Sequence, residues 1–141
     1  MTEPKTISEL MKLVMEECKK GNINNSIIYL NEAIEIEPND VRFYISRGCF
    51  KGTESHEDAI EDYTKAIEIE PNNVFAYRLR GDSKRKLGDY QGAINDYSKA
   101  IEIYPNKAYL YNYRASAKRK LGDNEGADED DRKAEKLKNI F

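Results

Sequence analysis

The sequence predicts an all-α fold of four helix-turn-helix repeats, and three observations predict it. The stretch Asp62-Tyr63-Thr64-Lys65-Ala66-Ile67-Glu68-Ile69-Glu70-Pro71-Asn72 returns as Asp96-Tyr97-Ser98-Lys99-Ala100-Ile101-Glu102-Ile103-Tyr104-Pro105-Asn106, an offset of 34 residues. Helical spacing occurs twice in each such period, first through Tyr77, Gly81 and Lys84 and then through Ala93, Tyr97, Ala100 and Ile101. Between the two runs stands a Gly-Asp pair, in which glycine can end one helix and aspartate can cap the next.

Pro38, Pro71 and Pro105 divide the chain into units 7–40, 41–73, 74–107 and 108–141, after a short N-terminal arm 1–6. The first unit is the loosest, with Leu10 and Val14 on its first helix and Ser26, Leu30 and Ala33 on its second. In the second, Tyr44 and Gly48 precede Ala59, Tyr63 and Ala66, and Pro71-Asn72 closes the hairpin. The third has Tyr77 and Gly81, the turn Leu87-Gly88-Asp89, then Ala93, Tyr97 and Ala100. The fourth has Tyr111 and Ala115, the turn Leu121-Gly122-Asp123, then Ala127 and Ala134. The small residues Gly48, Gly81 and Ala115 on first helices, and Ser26, Ala59, Ala93 and Ala127 on second helices, recur where the two helices of a hairpin must cross closely.

This spacing resembles the tetratricopeptide repeat family, through Tyr77, Gly81, Ala93, Tyr97, Ala100 and Pro105 and their equivalents Tyr44, Gly48, Ala59, Tyr63, Ala66 and Pro71. The resemblance implies a right-handed α-solenoid in a single domain over 7–141, with first helices lining a concave groove and second helices forming the convex back. Asp131 and Glu135 stand where Tyr97 and Ile101 would meet a following repeat, so the array is expected to end there with a polar face. Leu137, Ile140 and Phe141 are expected to fold back on the last hairpin.

Composition leaves the order of the chain to arrangement. Of 141 residues 35% are charged, Lys+Arg 23 against Asp+Glu 26 for a net −3, and Leu, Ile, Val and Phe number only 29. There is no uncharged apolar run of membrane-span length and no secretory signal pattern at the start, so a cytoplasmic protein with no membrane partner is expected. Cys18 and Cys49 lack metal-finger spacing and His56 is the single histidine, which argues against a zinc site or a disulfide scaffold and for two free thiols. Neither a phosphate-binding glycine loop nor an HExxH pattern occurs. The acidic runs Glu57, Asp58, Glu61, Asp62 and Asp128 to Asp131 read as solvated faces rather than acid/base pairs. No catalytic residue, metal or cofactor is expected.

Charge separates by helix. First helices with their turns sum to +11 and the remaining stretches to −14, so the resemblance implies a basic inside and an acidic outside. Lys84-Arg85-Lys86 and Lys118-Arg119-Lys120 also occupy last turns, where cations gain about 0.3–1 kcal/mol from the helix dipole. Arg47, Arg80 and Arg114 recur in step with Asp62, Asp96 and Asp130, which suggests a repeated structural ion pair between hairpins. The groove-facing places, one face by the 3.6 period, hold Met11, Met15, Arg42, Ile45, Cys49, Phe75, Arg78, Leu79, Asp82, Arg85, Tyr109, Asn112, Tyr113, Ser116 and Arg119. Cys18 and Ser46 share that face, and the two thiols are expected near each other. Apolar and aromatic residues there suit either a contact surface or packing between neighbouring first helices.

The expected function is therefore a non-enzymatic adaptor that holds a partner peptide or helix in the groove, with Arg and Lys selecting acidic residues. The carboxylate clamp of family members that bind chaperone tails is absent, since Met11, Met15, Ser46, Phe75 and Leu79 stand in its places. Two alternatives remain. Single-stranded nucleic acid or another polyanion would use Arg78, Arg85, Lys86, Arg119 and Lys120 with Phe75, Tyr109 and Tyr113 as stacking platforms, against which stands a pI of 5.4. Self-association would place the basic face of one copy on the acidic back of another.

Overall fold

A computed structural model describes residues 3–140 and contains eight α-helices and no strand among them. They are α1 (Ile7–Lys19), α2 (Ile23–Ile36), α3 (Val41–Lys51), α4 (His56–Ile69), α5 (Val74–Lys86), α6 (Tyr90–Ile103), α7 (Ala108–Lys120) and α8 (Asn124–Lys138). The first helices begin at Ile7, Val41, Val74 and Ala108. None of the eight is long and apolar enough to cross a membrane. The helices form two compact units, one through Glu70 and the other from Pro71.

In the first unit each helix packs on the next, α1 on α2, α2 on α3 and α3 on α4. Thr6 opens α1 with a capping box, its hydroxyl accepting from Glu9 N–H at 3.2 Å while Glu9 accepts from Thr6 N–H at 2.8 Å. Asp40 caps α3 and Ser55 caps α4. Leu10, Val14, Leu30, Ala33 and Phe43 form a buried core where α1, α2 and α3 meet, with Met11 packed against its edge. In α3, a Cβ on Gly48 would lie 2.6 Å from Cε1 of Tyr63, so the missing side chain makes room for that ring.

The second unit repeats this order, α5 on α6, α6 on α7 and α7 on α8. Gly81 stands against Tyr97 as Gly48 does against Tyr63. Ala93, Tyr97 and Ala117 form one buried cluster, and Ala100, Ile101, Leu110, Tyr111, Ala134 and Leu137 another. Of the three apolar residues expected to fold back at the end, Leu137 does so at 7% exposure, Ile140 is 66% exposed, and Phe141 lies outside the described residues.

The recurring arginines and aspartates pair, but within one hairpin rather than between hairpins. Arg47 meets Asp62 at 2.7 Å, Arg80 meets Asp96 at 2.8 Å and Arg114 meets Asp130 at 2.7 Å. The reason is reach: the acid lies on the second helix at the level of the arginine beside it. The neighbouring hairpin is met by another edge of the same guanidinium, since Arg47 Nη1 donates to Asn31 at 2.8 Å and Arg114 Nη1 to Ser98 at 3.2 Å. A lysine completes each site: Lys51, Lys84 and Lys118 stand 3.6, 3.0 and 2.9 Å from the same three carboxylates. Burial alone would raise the Asp130 carboxyl, yet the Arg114 and Lys118 donors outweigh it and hold the group below its ordinary range. The first hairpin has Leu13 and Tyr29 at the Arg and Asp places. It instead buries Glu17, which accepts from Lys20 at 2.8 Å, Asn22 at 2.8 Å and Asn25 at 2.9 Å and is held down to about 2 by these bonds.

Candidate functional site

Each unit gathers part of the predicted set. In the first, Val14, Met15, Cys18 and Lys19 of α1 face Ile45, Ser46, Cys49 and Phe50 of α3 across an open, largely apolar cleft of about 450 Å³. Met15 is 61% exposed, and both cysteines are exposed free thiols. The helical period explains why these side chains share a face, because α1 gives two residues from each of two successive turns and α3 does the same. The Tyr63 hydroxyl reaches through from α4 and donates to Cys49 Sγ at 3.5 Å.

Two predicted members of this face lie elsewhere. Met11 packs against the Leu10 core and belongs to the interior edge. Arg42 curls back on the cap of its own helix, with Nη2 2.6 Å from Asp40 Oδ2, and lines a separate depression with Glu37, Pro38, Asn39 and Glu70. The Arg42 hydrogen bond holds the Asp40 carboxyl below its ordinary range.

In the second unit, α5 supplies a connected polar group around a buried tyrosine. Arg78 donates to Asp82 at 3.1 Å, and the Tyr97 hydroxyl donates to the other oxygen of Asp82 at 2.5 Å. Burial and then the Asp82 hydrogen bond push the Tyr97 hydroxyl above the usual phenol range. Arg85 lies against Tyr97, whose oxygen keeps the guanidinium firmly cationic, and its Nε is buried without a hydrogen-bond partner. Two cations thus surround one carboxylate, leaving a net positive site.

Aromatic rings continue this face onto α7. Tyr113 lies tilted on Tyr97 at 5.8 Å between centroids, and Tyr109 meets Tyr113 edge-on at 5.9 Å. Phe75 is 58% exposed, Leu79 and Asn112 are half-buried, and Ser116 is exposed. Arg119 leaves the group. It pairs with Asp128 at 3.0 Å and with Asp131 on α8, which raises its guanidinium further.

Tyr97 is the member that sequence reasoning assigned to the core alone. Its ring is core and its hydroxyl is part of the polar site, and the signal was Gly81 followed at once by Asp82. Lys84 and Lys118 are the reverse case, assigned to helix-end clusters but held by Asp96 and Asp130. Among the described residues no three His, Cys, Asp or Glu side chains converge as a metal-ligand set.

Comparison with known proteins agrees with the repeat pattern. Tetratricopeptide repeat models match residues 62–95, and 19–40 with 49–73. A model described as TPR repeat matches residues 81–122. The fold is similar to that in a crystal structure of MamA, with a TM-score of 0.90 at 22% identity over 98% of this chain and 81% of that one. It is similar also to MamA (residues 41 to the end) from Desulfovibrio magneticus RS-1, with a TM-score of 0.85 at 15% identity over 94% and 76% of the two chains. Comparison with curated proteins by sequence finds no match.

Proposed function

The chain belongs to the tetratricopeptide repeat family, and from that premise we propose that it is a non-enzymatic scaffold that binds a segment of a partner protein on its first-helix faces. The observation that carries the reading is the apolar cleft of the first unit, where Met15, Ile45 and Cys49 leave apolar surface open to solvent. Apolar anchors of this kind supply affinity, and the net positive group of Arg78, Asp82 and Arg85 in the second unit supplies preference for acidic residues. The polyanion and self-association alternatives are outcomes of the same test.

The test is capture of partners from a lysate by the wild type and by Ile45→Asp and Arg85→Glu, after circular dichroism has established equal helicity. Specific proteins held by the wild type and lost from both variants support the proposal. Identical partner sets on all three would move binding to the convex acidic helices. Nucleic acid in the captured material, released steeply by salt, would favour the polyanion reading. Light scattering that shows mass rising with concentration would favour self-association.

A further inference from the structure

We propose that Cys18, Cys49 and Met15 form a binding site for a soft monovalent metal ion, copper(I), in the cleft between α1 and α3. The lining of the cleft fixes the alignment of the two helices. α1 contributes positions 14, 15, 18 and 19, and α3 contributes 45, 46, 49 and 50, so each gives an i, i+1, i+4, i+5 stripe. One antiparallel helix separates α1 from α3, so the two run in the same direction and matching stripes pair in order. Cys18 therefore stands level with Cys49, and Met15 lies one turn before Cys18 on the same face of α1.

Three sulfur donors thus share one apolar cleft, and ligand softness decides what they hold. Thiolate and thioether sulfur select copper(I) over the harder divalent ions. A tetrahedral zinc site needs four ligands, for which this cleft has no further imidazole, thiol or carboxylate. Both thiols are free and exposed, so both sulfurs are open to an ion. Its binding releases one proton from each thiol to water, forms three copper–sulfur bonds, two to the thiolates and one to the Met15 thioether, displaces the acetonitrile that carried the ion and changes no oxidation state. Two chain features favour the charged product. Lys19 at the rim offsets the surplus negative charge of two thiolates on a monovalent ion, and the Tyr63 O–H, 3.5 Å from Cys49 Sγ, orients that sulfur from outside.

The inference shares its cleft with the partner reading but is tested apart from it, because the titration needs no partner and neither Ile45→Asp nor Arg85→Glu removes a sulfur. The reduced full chain is titrated without oxygen with tetrakis(acetonitrile)copper(I) in competition with bathocuproine disulfonate, while light scattering follows the mass. The expected result is one ion per chain on a protein of unchanged mass, with zinc(II) failing to compete. Changes outside the ligand shell of a metal typically cost about 10–100-fold, so Cys18→Ser or Cys49→Ser is expected to lose at least about 100-fold and Met15→Leu about 10-fold. Each variant is compared by circular dichroism with the wild type, since these side chains are exposed or half-exposed and their loss should leave helicity intact. Wild-type affinity in either serine variant, unchanged affinity in Met15→Leu, or one ion shared by two chains would each overturn the three-sulfur site.

Discussion

A missing methyl group decides how closely the helices of a hairpin approach. At Gly81 an added Cβ would stand 2.9 Å from the Tyr97 ring, which is wholly buried and has no room to retreat. Gly81→Ala is therefore expected to lower stability by roughly 1–3 kcal/mol, as overpacking does, and thermal unfolding followed by circular dichroism measures it. Ala115 shows the converse: the place across from it holds Asp131 rather than a tyrosine, so a methyl group is admitted. The buried ion groups set a larger stake. Asp130→Ala would leave Arg114 and Lys118 facing each other with no carboxylate, and breaking a buried pair in this way costs about 3–5 kcal/mol. Denaturant midpoints for Asp130→Ala and the double variant Asp130→Ala/Arg114→Met should differ, with the double variant the more stable of the two. The recurrence of Arg and Asp was readable in the sequence because the spacing repeats. Membership of one hairpin was not readable, because a spacing of 15 or 16 residues says nothing of which helix pair closes the gap.

Each helix is ended by chemistry local to a few residues, which is why the boundaries agree with the period. Gly88 and Gly122 have φ of +84° and +85°, and the N–H groups of Asp89 and Asp123 bond back to Lys84 and Lys118 carbonyls at 2.9 and 3.0 Å. The same aspartates then cap the next helix through the N–H groups of Gly92 and Gly126. Gly88→Ala would force a Cβ into the left-handed region at a cost of about 1–2 kcal/mol, and a matched loss in unfolding free energy checks it. The second hairpin turns differently, with Gly52 in the right-handed region and Ser55 as cap, so Ser55→Ala is expected to cost about 1 kcal/mol there. The faces of the first helices were legible for the same periodic reason. Arg42 and Arg119 departed from them because a long side chain turns toward whichever acid is within reach, Asp40 for one and Asp128 with Asp131 for the other.

Over the whole molecule, carboxylates held below their ordinary range tie stability to pH. Glu17 is brought to about 2 by hydrogen bonds from Lys20, Asn25 and Asn22, Asp40 is lowered by Arg42, and Asp130 is lowered by Arg114 and Lys118 against its burial. Groups of this kind bind fewer protons folded than unfolded, so their contribution is complete above the unfolded carboxyl range and is lost as pH falls toward the folded values. Helicity is expected to fall on acidification from about pH 4.5 toward pH 2, and Glu17→Gln should flatten that descent. An acid profile identical in the variant would remove Glu17 from the account. What the sequence by itself determined was the repeat, the helix ends and the faces, since each follows from residues within a turn or two of one another. Tertiary structure alone decided that each Arg–Asp pair closes within one hairpin, that a lysine joins it, and that the Tyr97 hydroxyl has a polar role. Those depend on distances between helices, and such distances are set by the volumes of side chains packed far apart in the chain.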